Sequence, residues 1–337
     1  METMRAIRVT EIGEPDVLKT ASVPVPRPGP GEALVRVAYA GVNFADVWMR
    51  RGAVGAAMPV PFTPGLEAAG VVVALGEGAA VGEGVGDVKV GDRVTWCILP
   101  GAYAEYQAVN ASQLIPLPAD IGFDTAAAAI LQGLTAHYLV YEEYKVAPGA
   151  TVLVHAAAGG MGLLLIQWLK HLGARVIGTV STKAKTEIAR QAGADQVIIY
   201  TEQDFAAEAQ ALTGGRGVDY IIDGVGQTTF LKNLDAVRVR GTICVFGHSS
   251  GPAEPFAPFL LMPKSITLAG GMMHNFLQTR EDLLRRAGDV FQGLREGWLT
   301  VTIDRAFPLE QAAEAHRRLE TRASVGKLLL EVGGAGA

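Results

Sequence analysis

The sequence predicts an α/β protein in which a doubly wound parallel sheet accompanies a second, β-rich domain. Its 337 residues exceed the ~250–300 residues at which a single hydrophobic core stops growing, so two domains are expected. Short strands between glycine-rich turns occupy roughly the first 120 residues. Beyond residue 123, strands and helices alternate, which is typical of a parallel sheet covered by helices.

The elements of the first region are strands at 33–39, 70–75 and 92–96, each beside a glycine. Their close spacing predicts a compact antiparallel unit of the β-barrel type. The segment 125–144 is rich in alanine and leucine and contains no proline, so we predict a helix there.

The alternating region predicts six strands and three helices. The strands lie at 151–155, 175–180, 196–200, 218–223, 242–246 and 266–269, and the helices at 162–172, 183–191 and 205–212. The tail predicts helices at 280–296 and 309–321 and strands at 301–307 and 327–332. We expect the tail to return to the first domain. The predicted domains are therefore 1–124 with 271–337, and 125–270 for dinucleotide binding.

Charge and cysteine content exclude several classes of protein. The net charge is −5 and no long run of Lys or Arg occurs, so nucleic acid is not expected as the main partner. Two cysteines, Cys97 and Cys244, are typical of a reducing compartment, and we expect a cytoplasmic protein. The uncharged run 150–169 is as long as a membrane span, but Gly159 and Gly160 favour a buried strand, turn and helix. No membrane partner is expected.

A phosphate-binding turn is predicted after the strand at 151–155. The pattern Ala156-x-x-Gly159-x-x-Gly162 uses small residues, which let backbone N–H groups and a helix N-terminus approach a pyrophosphate. A glycine pattern alone is weak, but the strand–turn–helix context strengthens it. The predicted contacts are Ala158, Gly159, Gly160, Met161 and Gly162. The alternative is a tight structural turn without a nucleotide.

The end of the second strand indicates which dinucleotide binds. Enzymes that use NAD usually place Asp or Glu there, whereas this chain continues Ser181-Thr182-Lys183-Ala184-Lys185. A hydroxyl and two cations suit a 2′-phosphate, and each charge-assisted hydrogen bond is worth ~1.5–3 kcal/mol. We predict NADPH, with Ser181 and Lys185 as the main contacts and Lys183 as a weaker one. The alternative is a solvated helix start.

Motifs along nearly the whole chain carry a family resemblance. They are Gly41-Val-Asn-Phe-Ala-Asp-Val-Trp48, Pro64-Gly-Leu-Glu-Ala-Ala-Gly70, Gly91-Asp-Arg-Val94, Gly101-Ala-Tyr-Ala-Glu-Tyr106, Leu131-Gln-Gly-Leu-Thr-Ala136, the glycine turn with Gln167 and Lys170, Phe246-Gly-His-Ser-Ser-Gly251 and Ala323-Ser-Val-Gly-Lys327. With them the sequence resembles the quinone oxidoreductase (zeta-crystallin-like) branch of the medium-chain dehydrogenase/reductase superfamily. Ala150 departs from the branch, where a polar or charged residue is usual.

The resemblance implies the architecture and the activity. It implies a GroES-like catalytic domain and a Rossmann domain with the cofactor in the cleft between them. It also implies a homodimer formed through the last Rossmann strand, 265–269. The implied function is an NADPH-dependent quinone oxidoreductase that transfers hydride to a quinone without a metal. The alternatives are an NADPH-dependent alkenal or enone reductase, and a non-catalytic NADPH-binding structural or RNA-binding protein.

The same superfamily contains zinc alcohol dehydrogenases, and a catalytic zinc needs three protein ligands. In the zinc enzymes a Gly-His-Glu triplet supplies one of them. The corresponding triplet here is Gly65-Leu66-Glu67, and the first-ligand position falls near Val42 and Asn43 instead of a cysteine. No metal site is therefore predicted. Without a Lewis acid, acceptors that are already electrophilic are favoured.

The resemblance also implies the roles of site residues. Asn43 and Asp46 match residues beside the substrate pocket, where Asn43 either donates to a carbonyl oxygen or braces the next helix. Asp46 is likewise either a polar residue of the pocket or a brace. Trp48 is either a pocket wall or a core residue. No unambiguous proton donor is evident.

Further matches concern the cofactor. Gln132 and Thr135 match nicotinamide contacts, and Phe246, Gly247 and His248 match a loop near the carboxamide. His248 is either a general acid or a hydrogen-bonded structural histidine. Tyr200 matches a contact to the adenine ribose, Arg322 a contact to the 2′-phosphate, and Lys327 a structural position.

Overall fold

A computed structural model of the chain describes residues 2–53, 57–79 and 88–333. The chain forms two compact units. The first contains Met1–Gln132, Leu277–Phe291 and Val301–Ala337, and the second contains Gly133–Phe276 and Gln292–Thr300. The units divide a few residues after positions 124 and 270, and the functional domain boundaries stay a prediction.

The described residues contain both elements that the sequence predicts and elements that it does not. The strands are β1 (Thr3–Val9), β2 (Leu18–Pro24), β3 (Glu32–Val42), β4 (Glu67–Leu75), β5 (Arg93–Cys97), β6 (Tyr106–Asn110), β7 (Ile115–Pro116), β8 (Thr151–Val154), β9 (Arg175–Val180), β10 (Gln196–Ile199), β11 (Val218–Asp223), β12 (Val237–Val245), β13 (Thr267–Ala269), β14 (Ile303–Pro308) and β15 (Lys327–Glu331). The α-helices are α1 (Phe44–Arg50), α2 (Phe123–Tyr138), α3 (Gly160–His171), α4 (Lys183–Gln191), α5 (Phe205–Leu212), α6 (Phe230–Ala236), α7 (Arg280–Glu296) and α8 (Ala312–Glu320).

The first unit is built around a largely antiparallel sheet with the strand order β14-β15-β3-β4-β5-β7, in which β6 also pairs with β3. A separate hairpin joins β1 to β2. The tail returns to this sheet, as expected, because β15 pairs antiparallel with β3 and sets Leu330 opposite Ala40. Large buried side chains, among them Trp96 and Tyr103, fill the core of the unit.

The second unit contains the predicted doubly wound sheet. All five neighbouring pairs are parallel in the order β10-β9-β8-β11-β12-β13, which is the Rossmann order 3-2-1-4-5-6. The predicted fold class is confirmed. In such sheets, ligands bind beyond the carboxyl ends of the strands, so the residues that follow each strand are the candidates for a site.

Several boundaries differ from the prediction. The helix expected to reach residue 144 ends as an α-helix at Tyr138 and continues as the π-helix Leu139–Glu143. Strand β12 begins at Val237, five residues early, because Arg238 and Arg240 interrupt the apolar pattern. The uncharged run 150–169 forms β8, a turn and most of α3, as predicted. Among the described residues, no helix has both the length and the apolar character needed to cross a membrane.

Two glycines of the first unit provide a matched test of its packing. A Cβ at Gly70 in β4 would lie 2.0 Å from the backbone oxygen of Arg36, whereas a Cβ at Gly288 in α7 would meet, outside its own helix backbone, no atom of the described residues within 4 Å. We expect Gly70→Ala to lower the free energy of unfolding by about 3 kcal/mol or more, because the backbone must shift. Gly288→Ala should raise it by about 0.5–1 kcal/mol, because alanine favours a helix. Urea unfolding of both variants followed by circular dichroism tests this, and equal stabilities would contradict it.

Candidate active site

The predicted phosphate-binding turn lies between β8 and α3. All four residues of β8 are buried, and the chain leaves the strand through Ala156, whose φ is 52°. The Gly159 N–H donates to the Ala156 carbonyl oxygen over 2.9 Å, which closes the turn. A Cβ at Gly162 would lie 2.4 Å from that same oxygen. Only glycine therefore fits at Gly162 unless the turn moves.

The turn presents the N-terminus of α3, a helix of twelve residues. The first amide N–H groups of a helix have no partner within it and carry the positive end of its dipole, so they suit an anionic group. Gly160 and Met161 are half-buried, and the Ala158 side chain is fully buried, which leaves its backbone as the contact. The close approach continues at Gly178 in β9, where a Cβ would lie 2.7 Å from the Ala157 Cβ.

The ends of β9 and β10 bring Ser181 and Tyr200 together. The Tyr200 N–H donates to the Val180 carbonyl oxygen over 3.0 Å, and the Thr201 hydroxyl donates to the Ser181 carbonyl oxygen over 2.9 Å. The Tyr200 side chain is exposed. A hydroxyl and an aromatic ring thus border the same corner of the sheet.

Helix α4 begins at that corner with two lysines in its first turn. Thr182 is the N-cap, and its side chain accepts a hydrogen bond from the Lys185 N–H. Lys183 is exposed and Lys185 is half-buried. Residues 181–185 contain no carboxylate, so this corner has the charge that a phosphate group requires.

A buried carboxylate, Asp223, organises the loop after β11. Its Oδ1 accepts from the N–H groups of Val225 and Gly226 over 2.8 and 3.0 Å. Its Oδ2 accepts from the Thr229 hydroxyl over 2.7 Å and from the Asn233 amide over 2.6 Å. Sequence reasoning did not single out this residue, whose four hydrogen bonds fix the loop beside the strand end.

His155 extends this network to the strand end before the phosphate-binding turn. The Asn233 amide nitrogen donates to Asp223, so its Oδ1 faces His155 Nε2 over 2.8 Å. Nε2 must therefore carry the proton, and Nδ1 accepts from the Thr179 hydroxyl over 2.9 Å. Burial lowers the pKa of His155, which agrees with a neutral ring.

The loop after β12 holds Phe246, Gly247 and His248 against the loop after β11. The Phe246 N–H donates to the Asp223 carbonyl oxygen over 3.0 Å. A Cβ at Gly224 would lie 2.6 Å from the Phe246 ring, so the two loops are in close contact. His248 is half-buried, and burial lowers its pKa, which favours the neutral imidazole at neutral pH.

Helix α2 carries Gln132 and Thr135, which are three residues apart on one face. Gln132 Oε1 is buried and accepts no hydrogen bond from the described residues. The Thr135 hydroxyl is buried and lies 3.7 Å from the Met273 sulfur, which is a weak acceptor. A buried oxygen without a donor costs ~1–3 kcal/mol, so Gln132 Oε1 is suited to a donor group of a ligand.

The first unit contains a buried cluster around Asn43, Glu67 and Lys327. The Lys327 ammonium donates to the Glu67 carboxylate and, over 2.7 Å, to Asn43 Oδ1. Asn43 Nδ2 donates to Glu67 Oε1 over 2.8 Å, and the Leu131 N–H donates to Glu67 Oε2 over 2.9 Å. A Cβ at Gly41 would lie 2.2 Å from Glu67 Oε1. The Asn43 side chain is therefore held by Glu67 and Lys327, and its two expected roles, donation to a carbonyl oxygen or bracing of the next helix, stay predictions.

Asp46 ends a directed chain of hydrogen bonds in the same unit. Its Oδ2 accepts from the Asn43 N–H over 2.8 Å and from the Tyr103 hydroxyl over 3.3 Å. Tyr103 lies 3.2 Å from His316 Nε2, and His316 Nδ1 lies 3.4 Å from an Arg50 nitrogen. Because Arg50 only donates, Nδ1 accepts and Nε2 carries the proton. Each group of the chain thus donates toward Asp46.

The surroundings of this chain shift its pKa values. Burial raises the pKa of Asp46 to about 7, and burial together with the Arg50 cation lowers the pKa of His316 to about 3. Arg50 is itself anchored by Glu320 over 2.6 Å. Asp46 Oδ1 is buried and has no hydrogen-bond partner among the described residues. His316 is therefore neutral at ordinary pH, and Asp46 is close to its midpoint.

Two other predicted residues lie elsewhere in the first unit. Trp48 is half-buried on α1, and Arg322 is exposed in the turn between α8 and β15, with a φ of 57°. Their roles toward a substrate and a 2′-phosphate stay predictions.

Sequence reasoning missed the pairing of Glu67 with Lys327, and it missed Tyr103 and His316. A charge inside an apolar strand, as in Gly-Leu-Glu-Ala-Ala and Gly-Lys-Leu-Leu-Leu, was the available signal.

The donor set of this cluster does not fit a zinc ion. Leu66 offers no ligand atom, and both Glu67 oxygens already accept hydrogen bonds, one of them from an ammonium group. Within residues 2–53, 57–79 and 88–333, no three His, Cys, Asp or Glu side chains come together as a metal site requires.

Comparison with protein families matches both halves of the chain. The family described as "Alcohol dehydrogenase GroES-like domain" matches residues 29–119. The family described as "Zinc-binding dehydrogenase" matches residues 160–288. The second description names zinc, a metal that the cluster of Asn43, Glu67 and Lys327 is unsuited to bind.

Individual proteins resemble the chain over nearly its whole length. A 2-haloacrylate reductase from a Burkholderia species is 39% identical, over 94% of this chain and 96% of the relative. Quinone oxidoreductase 1 of Escherichia coli K12 is 37% identical, over 94% and 96%. The solved structure of mycobacterial Rv1454c complexed with NADPH has a TM-score of 0.93 and 43% identity, and it covers 97% of this chain and 100% of its own. The chain therefore belongs to the quinone oxidoreductase family of the medium-chain dehydrogenase/reductase superfamily.

Proposed function

We propose that this protein is an NADPH-dependent quinone oxidoreductase that transfers hydride to a quinone without a metal ion. The observation that carries the proposal is the corner of the Rossmann sheet where a glycine turn and a helix N-terminus accompany Ser181, Lys183 and Lys185. The quinone oxidoreductase name of the 37%-identical relative and the NADPH complex of the mycobacterial structure support it.

The chain's own groups fit NADPH. The amides of residues 160–162 suit the pyrophosphate, with Ala158 and Gly159 lining it, while Ser181 and Lys185 suit the 2′-phosphate and Tyr200 suits the adenine ribose. Gln132 Oε1 is buried and accepts no hydrogen bond within the part of the chain that the structure describes, so it suits an amide donor such as a nicotinamide carboxamide. The further proposed contacts are Thr135, Phe246, Gly247, His248 and Arg322. NADPH, when bound, supplies the hydride.

On the acceptor side, the proposal assigns hydrogen-bond donation to Asn43 and a supporting role to Asp46. A quinone oxygen gains negative charge as hydride arrives, and a fixed donor stabilises that charge. Asp46 holds the Asn43 backbone, since its Oδ2 accepts from the Asn43 N–H. Quinones are electrophilic enough to react without a Lewis acid, which agrees with a donor set unsuited to zinc.

A second candidate function is the reduction of an activated carbon–carbon double bond. The 39%-identical relative is named 2-haloacrylate reductase, and a haloacrylate carries a double bond conjugated to a carboxyl group. The same hydride donor serves both acceptors, because each spreads the incoming charge onto an oxygen. The relatives' names favour an enzyme over the non-catalytic NADPH-binding protein.

We also propose that two copies associate through the edge of the Rossmann sheet. Strand β13 pairs only with β12 among the described residues, so its outer edge can accept another strand. Leu268 on this strand and the nearby Phe259 and Met262 are exposed apolar side chains. Burial of such a patch in a dimer is favourable.

A cytoplasmic location is part of the proposal. Both cysteines, Cys97 and Cys244, are buried thiols outside any disulfide, which suits a reducing compartment. Imaging of a fluorescent fusion in the source cells tests this proposal, and fluorescence confined to another compartment would reject it.

The first prediction from the proposed function concerns cofactor choice. Lys185→Ala should raise the Kd of NADPH about tenfold or more while that of NADH stays the same, because one charge-assisted hydrogen bond is worth ~1.5–3 kcal/mol. Fluorescence titration of both dinucleotides measures this. Lys145→Ala, which removes an exposed lysine of the same unit, is the control. Equal losses for NADPH and NADH would contradict the assignment of this corner.

The second prediction concerns the acceptor. With NADPH, the wild-type enzyme should reduce 1,4-benzoquinone and 1,4-naphthoquinone with a higher kcat/KM than 2-chloroacrylate or a 2-alkenal. Consumption of NADPH at 340 nm gives these values. The reverse order would make the double-bond reductase the correct function. Tight NADPH binding without turnover of any of these acceptors would support the non-catalytic alternative.

The third prediction concerns assembly. Leu268→Asp should halve the mass measured by light scattering after size exclusion, because a buried carboxylate opposes strand pairing across the edge. Val90→Asp, at an exposed apolar side chain of the first unit, should leave the mass unchanged. A wild-type mass of one chain would refute the dimer.

A further inference from the structure

The Glu67–Lys327 ion pair determines which way the Asn43 side-chain amide faces. An amide has an oxygen that accepts and a nitrogen that donates. The Lys327 ammonium only donates and lies 2.7 Å from Oδ1, whereas the Glu67 carboxylate only accepts and lies 2.8 Å from Nδ2. A flipped amide would set donor against donor and acceptor against acceptor. The orientation is therefore fixed from both sides.

This orientation leaves one donor of Asn43 uncommitted. Nδ2 carries two protons, and one is used by Glu67 Oε1; Asn43 makes no other side-chain donation among the described residues. Oδ1 is occupied by the cation, and the backbone N–H is held by Asp46. Asn43 is 7% exposed, whereas Glu67 and Lys327 are at 0% and 1%, so Asn43 has the largest exposed fraction of the three.

The cation also changes the strength of that donor. A positive charge on the amide oxygen draws electron density from the nitrogen, which makes the remaining N–H a better donor. The buried surroundings increase the effect, because little water screens it. The ion pair thus combines a fixed direction with an increased donor strength.

We propose that Lys327 and Glu67 are positioning residues that direct and polarise the free Nδ2–H of Asn43 toward the oxygen of the acceptor. This inference rests on the proposed function. Hydride brings two electrons and one hydrogen to a quinone, which becomes the hydroquinone monoanion, and water supplies the proton that completes it. Asn43 transfers no proton. Its N–H stabilises the charge that develops on the oxygen, and the acceptor class is a quinone or conjugated carbonyl compound.

A double variant tests the role of the pair without leaving a charge unpaired. In Glu67→Gln with Lys327→Met, the new amide oxygen faces the Leu131 N–H and its nitrogen faces Asn43, so the Asn43 amide turns over. We expect kcat for 1,4-naphthoquinone to fall about 10- to 100-fold, with an unchanged Kd for NADPH. The dependence of log kcat on the reduction potential of substituted benzoquinones should become steeper, because the acceptor must then carry its charge without the donor. A merely structural role predicts no change in that slope.

The matched control removes another ion pair of the same unit. Arg318 and Asp304 are paired over 3.0 Å outside the cluster, and Arg318→Met with Asp304→Asn should leave both kcat and the slope unchanged. Unchanged kcat in the Glu67/Lys327 double variant, with a folded protein by circular dichroism, would overturn the inference.

A second measurement needs no variant and no turnover. In the wild-type complex with NADP⁺, the Nδ2 protons of Asn43 are followed by nitrogen-15 NMR while 1,4-naphthoquinone is added. We expect one of the two proton resonances to move downfield and the other to stay. Absence of any shift would overturn the inference, even if the variant does not fold. Failure of wild-type turnover with the shift present would reject the proposed function and still support the donor assignment.

Discussion

An ion pair without access to solvent, Glu67 with Lys327, is the constraint on which the first unit depends. Removal of one partner from such a pair costs ~3–5 kcal/mol, because the other charge stays buried. The pair joins β4 to β15, and the Leu131 N–H adds α2 to the same carboxylate. Position 41 requires glycine, because a Cβ there would lie 2.2 Å from Glu67 Oε1. Sheet, tail and helix are therefore fixed by one interaction.

In the second unit, a single buried charge fixes the elements around it. Asp223 fixes two loop amides, a threonine and Asn233, and through Asn233 it sets the tautomer of His155. Small residues surround this network wherever loops come close, as at Gly224 against Phe246. The residues that follow β11 and β12 thus keep a defined geometry, because their amide groups are held by Asp223. A dinucleotide site in an α/β sheet requires such fixed loops at the carboxyl ends of the strands.

The sequence was sufficient where signals are local. Helices α4 and α5 were predicted to the residue, and the structure shows that Thr182 and Asp204 cap them. Helix α6 was missed, because seven residues are too few to show a helical periodicity. The hairpin of β1 and β2 was missed, because charged residues interrupt the apolar pattern of its strands. At the candidate site, the glycine turn and the lysines after β9 were visible as motifs.

The contacts of the polar clusters could not be predicted, because their members are distant in sequence. Tyr103 lies 213 positions from His316, and Asn43 lies 284 positions from Lys327. A histidine or lysine inside an apolar segment signals a buried partner, but it does not identify that partner. The contacts of Asn43 with Glu67 and Lys327 were equally hidden in the sequence, and they account for one of its two side-chain amide protons.

The sequence separation within the Glu67–Lys327 pair has a consequence during synthesis. Glu67 leaves the ribosome 260 residues before Lys327, which is a delay of about 13–50 s at 5–20 residues per second. Throughout that interval the nascent sheet holds an acid without its counter-ion, so its interior cannot close around the carboxylate. The Rossmann unit ends at Thr300 and has all its strands earlier. We therefore expect the Rossmann unit to fold before the N-terminal sheet is complete. The N-terminal strands should be among the last segments to become protected from proteases.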